Sequence, residues 1–141
     1  MIVLPFEAGH LQLLSLQENQ LHFQPLFARP EYGDWLEKSG PAFSAAVGDE
    51  IIASLGITPQ WENRAVAWGL IGKQARRHFV PLTKAIMRFL DLCEYRRIET
   101  PVDVGFEEGD RWATMLGFER EGTMRAFMPD GRDCHLYARV K

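Results

Sequence analysis

Basic side chains crowd into one short stretch of the chain. Lys73, Arg76, Arg77 and His78 lie directly ahead of residues 82–93, whose apolar side chains recur with helical spacing. Exposed cations at the start of a helix oppose its dipole, which costs from a few tenths to about 1 kcal/mol each. A bound phosphate would make the energetic contribution of these cations favourable, because helix-start amides and guanidinium groups both attract the anion. The stretch therefore predicts an anion site, and the alternative is a solvated basic turn compensated by nearby acidic residues.

Carboxylates and a tyrosine are the candidates for proton transfer. Glu99 and Asp103 lie on one face of a segment that alternates apolar and polar residues, as β-strands do. Desolvation on such a strand would raise the pKa of a carboxyl group and suit it to act as a base. The alternative is that these carboxylates pair with Arg64 or Arg97. Tyr137 is a candidate proton donor, although strand tyrosines more often pack at an interface with water.

The elements that must position these residues follow from the periodicity of the chain. Helical spacing or helix-boundary signals predict four helices. Alternating apolar and polar residues, bounded by turn residues, predict seven strands. The predicted helices are 8–21, 30–38, 82–93 and 107–116, and the predicted strands are 1–6, 42–47, 50–57, 64–71, 97–104, 118–127 and 134–140. The pattern indicates a mixed α+β fold in which three consecutive strands are antiparallel because their turns are short.

Composition limits the class of protein. A chain of 141 residues is the size of one domain, and 46% hydrophobic with 25% charged residues is typical of a globular protein. No apolar run approaches the roughly 20 residues of a membrane helix, and the N-terminus does not resemble a secretory signal, so we expect a cytoplasmic protein. A net charge of −3 disfavours nucleic acid as a partner.

The two cysteines are predicted to be reduced core residues. Cys93 and Cys134 are far apart in sequence. Neither has a second thiol or a histidine at metal-ligand spacing, so no metal site is predicted.

The run from residue 112 to residue 122, Trp-Ala-Thr-Met-Leu-Gly-Phe-Glu-Arg-Glu-Gly, resembles the closing helix and penultimate strand of the Gcn5-related N-acetyltransferase (GNAT) superfamily. The resemblance covers residues 42–141 well and 1–41 loosely, and the whole chain looks similar to small divergent members from phage and prophage genomes. It implies a single GNAT-like domain over residues 1–141. In that fold a central, mostly antiparallel sheet of about seven strands splays between strands 64–71 and 97–104, flanked by about four helices.

The same resemblance implies where acetyl-CoA would bind. Main-chain groups near the end of strand 64–71 would pair with the pantetheine arm, and the turn after Gly72 would receive the pyrophosphate. The residues concerned are Trp68, Leu70, Ile71, Lys73, Gln74, Arg76, Arg77 and His78. Two departures from the family pattern stand out: Arg77 and Phe79 occupy positions of the phosphate-loop glycines, and Ala113 occupies the position of the usual proton-donating tyrosine.

The resemblance implies an acyl-CoA-dependent N-acyltransferase that transfers acetyl directly to a primary amine in a ternary complex. Glu99 or Asp103 would serve as base and Tyr137 as proton donor, and a homodimer paired through terminal strands fits such folds. The alternative is a catalytically degenerate GNAT-like binding protein or phage structural or accessory protein.

Overall fold

The computed structural model describes residues 1–141, which form seven strands and five α-helices. The strands are β1 Ile2–Pro5, β2 Ala42–Val47, β3 Glu50–Trp61, β4 Arg64–Ile71, β5 Arg97–Asp103, β6 Glu119–Met124 and β7 Cys134–Val140. The α-helices are α1 His10–Leu13, α2 Gln24–Phe27, α3 Pro30–Ser39, α4 Phe79–Leu92 and α5 Glu107–Met115. Two 3-10 helices, Glu18–Phe23 and Lys73–His78, complete the regular structure.

The strands form one mixed sheet in the order β1-β2-β3-β4-β5-β7-β6. β1 with β2, β2 with β3, β5 with β7 and β6 with β7 are antiparallel, while β4 and β5 are parallel. The β4 and β5 ladder comprises three residue pairs, from Arg64 opposite Arg97 to Val66 opposite Glu99. This architecture confirms the predicted fold class.

The predicted helix over residues 8–21 is corrected by the structure. Only His10–Leu13 is α-helical, because Leu14 turns to an extended backbone with φ −80° and ψ 130°. Leu16 then pairs with Gly72 as an isolated antiparallel bridge, and the chain resumes as a 3-10 helix at Glu18. The leucines in this stretch are only loosely periodic, so tertiary pairing decides their conformation.

Backbone contacts divide the chain into two compact units. The first unit comprises residues 1–59 and 67–92, and the second comprises residues 60–66 and 93–141. The core of the first unit is an apolar cluster of strand and helix residues: Phe6, Leu11, Leu14, Leu16, Phe27, Leu36, Ala46, Ile51 and Leu70. In the same unit α4 buries Leu82, Ile86 and Leu90 at helical spacing, as its sequence predicts.

The second unit contains the β5, β6 and β7 ladder with α5. Its buried residues include Ile98, Phe118, Cys134 and Ala138. α5 ends as predicted, with Gly117 at a φ of +93° that favours glycine. The Phe118 N–H donates to Ala113 O at 3.0 Å and the Gly117 N–H to Thr114 O at 3.0 Å, a Schellman C-cap. No helix of either unit is long and apolar enough to cross a membrane.

Candidate functional site

The two edges of β4 are distinguished by main-chain hydrogen bonds within the first unit. The Gly72 N–H donates to Ile52 O of β3 at 2.7 Å. Because successive residues of a strand direct their main-chain groups to opposite edges, Trp68 and Leu70 present theirs toward β3. Gly69 and Ile71 present theirs to the opposite edge, which we call the far edge. The sequence prediction placed the ligand against main-chain groups near Trp68, Leu70 and Ile71, and of these three residues Ile71 presents its groups to the far edge.

The far edge of β4 is paired with residues 15–20 of the same unit. The Gln20 side-chain amide donates to Gly69 O and accepts from the Ile71 N–H, both at 2.8 Å. The Gln17 N–H donates to Ile71 O at 3.0 Å. Sequence reasoning did not find either glutamine. No motif marks them, and the Gln20 contacts join residues 49 and 51 positions apart.

Trp68 is half-buried and packs against the first unit's core. Its ring packs edge-to-face on Phe6 with centroids 5.2 Å apart, against the apolar cluster described above. A Cβ at Gly56 would lie 2.8 Å from the indole ring, so glycine at that position makes room for it. The indole N–H is buried and has no hydrogen-bond partner in the protein.

The predicted anion-binding turn follows β4 directly. Lys73–His78 is a 3-10 helix that leads into α4 at Phe79. Lys73, Arg76 and Arg77 are exposed, whereas Ala75 is buried and holds the turn in place. Gln74 and His78 are half-buried. The turn therefore presents three cations at the surface, immediately before the N-terminus of a 14-residue helix.

Glu99 lies in an ion-pair network of the second unit. Arg64 Nε donates to Glu99 Oε1 at 2.9 Å and Arg97 Nε to Glu99 Oε2 at 2.7 Å. Arg97 also pairs with Glu121, which lies at a bulge in β6. Hydrogen bonding from Arg64, and then from Arg97, lowers the pKa of Glu99 against the raising effect of its burial. A base on this strand was expected to have a raised pKa, so the structure instead matches the ion-pairing alternative.

Asp103 is four residues further along β5 and has different partners. Arg132 Nη1 donates to Asp103 Oδ2 at 3.0 Å, and the Cys134 thiol donates to Asp103 Oδ1 at 3.5 Å. These contacts tie β5 to the start of β7. The two predicted carboxylates therefore share a sheet face but belong to separate clusters of polar groups.

Tyr137 lies on the other face of the sheet. It is directly opposite Thr100 in the β5 and β7 ladder, whereas Glu99 and Asp103 are opposite Ala138 and Cys134. Residues directly opposite each other share a face, so Tyr137 points away from both carboxylates. The Tyr137 hydroxyl donates to Asp110 Oδ1 at 2.9 Å and accepts from Arg120 Nη2 at 3.2 Å. The structure does not bring the three predicted catalytic side chains together.

The burial of Ala113 and of the two cysteines is consistent with what their sequence context predicts. Ala113 is buried in α5 at the position where the resembled family has a tyrosine. Both cysteines are free and buried. Burial raises the pKa of Cys93. The pKa of Cys134 is raised to about 11, most strongly by burial and next by the charge and hydrogen bonding of Asp103.

Comparison with solved structures identifies the fold. An N-acetyltransferase from Staphylococcus aureus Mu50 superposes with a TM-score of 0.76, at 10% identity, covering 99% of this chain and 96% of that one. The acetyltransferase of the GNAT family from Bacillus anthracis superposes at 0.74, at 12% identity, covering 98% and 93%. This chain has the GNAT fold. A spermidine N-acetyltransferase chimera from Vibrio cholerae also superposes with a TM-score of 0.74, at 16% identity, covering 99% and 96%.

At these identities the likeness to GNAT structures concerns the fold. No protein-family model matches the sequence. No curated protein matches it either.

Proposed function

We propose that the chain is an acyl-CoA-dependent N-acyltransferase, with acetyl-CoA as donor and a primary amine as acceptor. In direct transfer within a ternary complex, the deprotonated amine nitrogen attacks the thioester carbonyl carbon. The carbon–sulfur bond then breaks and the departing thiolate takes up a proton. The GNAT fold over nearly the whole chain, with neighbours that are N-acetyltransferases, supports acyl transfer as the reaction class.

The single observation that carries the proposal is the turn Lys73–His78. Its exposed cations lie at the end of β4 and before α4, where a pyrophosphate would meet positive side chains together with the positive end of the α4 dipole. Guanidinium groups suit phosphate oxygens because they donate two parallel hydrogen bonds. In this proposal Lys73, Arg76 and Arg77 hold the phosphates of the donor through their side chains, since the glycines of the family loop are replaced.

Proton transfer is assigned among the predicted residues according to their partners. Asp103, whose side chain is 19% exposed, is better suited to accept a proton than Glu99, whose side chain is 9% exposed and held between two guanidinium groups. Tyr137 stays a candidate proton donor, but as an alternative to Asp103 and not as its partner in one site, because the two lie on opposite faces of the sheet. A cytoplasmic location, a phage or prophage origin and a homodimer are further parts of the proposal.

The reaction is tested by mixing the protein with acetyl-CoA and a panel of primary amines that includes spermidine and an aminoglycoside. Free thiol is followed over time and the acetylated amine is identified by mass spectrometry. We expect thiol release that depends on both protein and amine. Thiol release no faster than in protein-free controls, for every amine and at saturating acetyl-CoA, would favour a binding protein that has lost the reaction.

A further inference from the structure

The Gln20 side chain occupies one main-chain acceptor and one main-chain donor at the far edge of β4. Its oxygen accepts the Ile71 N–H and its nitrogen donates to Gly69 O, with both distances at 2.8 Å. An added strand would make these two bonds through the N–H of one amide and the C=O of the next, because the N–H and C=O of a single trans amide point in opposite directions. The pantetheine arm of CoA carries two such amides.

We propose that Gln20 is a gate on the far edge of β4, which must rotate away before the arm of a CoA thioester can pair with Gly69 and Ile71. The inference rests on the proposed function, because it concerns the donor of that reaction. The gate is a competition for one pair of main-chain groups between the Gln20 carboxamide and the two successive amides of the arm.

The attachment of Gln20 differs from that of the residues just before it. Ser15 to Gln17 bind the strand end through their own main chain: Lys73 N–H donates to Ser15 O at 2.8 Å, and Gln17 N–H donates to Ile71 O at 3.0 Å. Leu16 anchors this segment in the core of the first unit, with 4% of its surface exposed. Moving these residues would require the core to open, so they form a fixed stop.

Gln20, in contrast, reaches β4 by a side chain alone. It belongs to the 3-10 helix Glu18–Phe23, in which no residue is buried. Rotation of its side chain would open Gly69 O and the Ile71 N–H while Ile71 O and the Lys73 N–H keep their partners. The groups released match one N–H and one C=O of the ligand, and the fixed stop prevents pairing beyond Ile71.

The gate is tested by calorimetric titration of the full chain and its Gln20→Ala variant with two probes. CoA carries the amide arm, whereas adenosine 3′,5′-bisphosphate carries phosphates without it. We expect the variant to bind CoA about thirtyfold more tightly, since two hydrogen bonds of about 1 kcal/mol each no longer compete. Affinity for the bisphosphate should not change, because that probe does not reach the gate.

Gln12→Ala is the matched control. Gln12 also uses its side-chain amide to bond a main-chain carbonyl of the first unit, Phe27 O at 3.0 Å, but it does not touch β4. We expect its CoA affinity to equal that of the unaltered chain. A tighter complex in both variants would show general loosening of the N-terminal segment and overturn the gate.

The remaining outcomes separate the gate from the proposed function. Equal or weaker CoA binding by Gln20→Ala overturns the gate and leaves the proposed function standing. No binding of CoA by any of the three chains overturns the proposed function and the gate together. If Gln20→Ala does not fold, the side-chain amide resonances of Gln20 in the unaltered chain decide the question by NMR. They should shift on addition of CoA but not of the bisphosphate, and unchanged resonances in saturating CoA overturn the gate.

Discussion

The Tyr137 hydroxyl donates a 2.9 Å hydrogen bond to Asp110 Oδ1, which joins the last strand to α5. Arg120 also donates to this hydroxyl. Tyr137→Phe therefore removes one hydrogen-bond partner from the Asp110 carboxylate and one from the Arg120 guanidinium. We expect the free energy of unfolding, measured with urea, to fall by about 1–2 kcal/mol. Tyr95→Phe, at a half-buried tyrosine outside this cluster, is the control.

The same variant tests the proposed role of Tyr137 in the reaction. A proton donor should show lower turnover in Tyr137→Phe. Turnover like that of the unaltered chain, together with the loss of stability, would make Tyr137 a structural residue only.

Glu99 should make stability depend on acid pH. Its pKa is lowered in the folded chain from an ordinary value of 4.5, first by hydrogen bonding from Arg64. A lowered pKa stabilises the fold above the unfolded-state pKa, and that contribution is lost as pH falls through the folded-state value. Glu99→Gln should therefore lower the free energy of unfolding by about 2 kcal/mol near neutral pH and less in strong acid.

Urea unfolding across this pH range measures the effect. Glu50→Gln is the control, because Glu50 is an exposed glutamate on β3. A difference between Glu99→Gln and the unaltered chain that stays constant from neutral to strongly acidic pH would contradict the ion-pair account of Glu99.

The parts of the fold that could be predicted from sequence are those governed by local physics. The apolar period of α4 placed Leu82, Ile86 and Leu90 in the core, and Leu-Gly-Phe at residues 116–118 marked the end of α5. Both signals lie within one or two helical turns, so neighbouring residues alone determine the conformation.

The arrangement of the candidate site depends on pairings that the sequence does not encode locally. The face on which Tyr137 lies is set by its register opposite Thr100, and a shift of one residue would move it to the face of Glu99. Gln20 reaches β4 across about fifty residues, through a side chain in a short 3-10 helix. No spacing rule connects such residues, so neither the sheet face of Tyr137 nor the contact of Gln20 with β4 could be predicted.

Gly117→Ala tests the C-cap of α5. Gly117 has φ +93°, and an added Cβ would lie 3.1 Å from Arg139 Nε. We expect the substitution to lower the free energy of unfolding by about 1–2 kcal/mol, because a side chain disfavours this backbone. Gly9→Ala should be neutral or slightly stabilising, since Gly9 has a helical φ of −63° and open space around its Cβ. Equal effects of the two substitutions would contradict this explanation.

The two thiols should react slowly in the folded chain. Cys134 is 1% exposed with its pKa raised to about 11, and burial raises the pKa of Cys93 as well. The thiolate is the reactive form, so little of either cysteine is available to an alkylating reagent near pH 8. We expect both to be labelled rapidly in guanidinium chloride and slowly without it, as measured by intact mass. Fast labelling of the folded chain would contradict the burial of these side chains.

Calorimetric titration with acetyl-CoA tests the central claim most directly. We expect saturable binding by the unaltered chain, and a loss of about 2 kcal/mol in binding free energy when Arg76 and Arg77 are both changed to alanine, on the scale of two charge-assisted contacts. A chain with Arg88→Ala and Arg125→Ala, which loses the same charge at exposed positions elsewhere, should bind as tightly as the unaltered chain. The absence of any binding heat at millimolar acetyl-CoA would contradict the account.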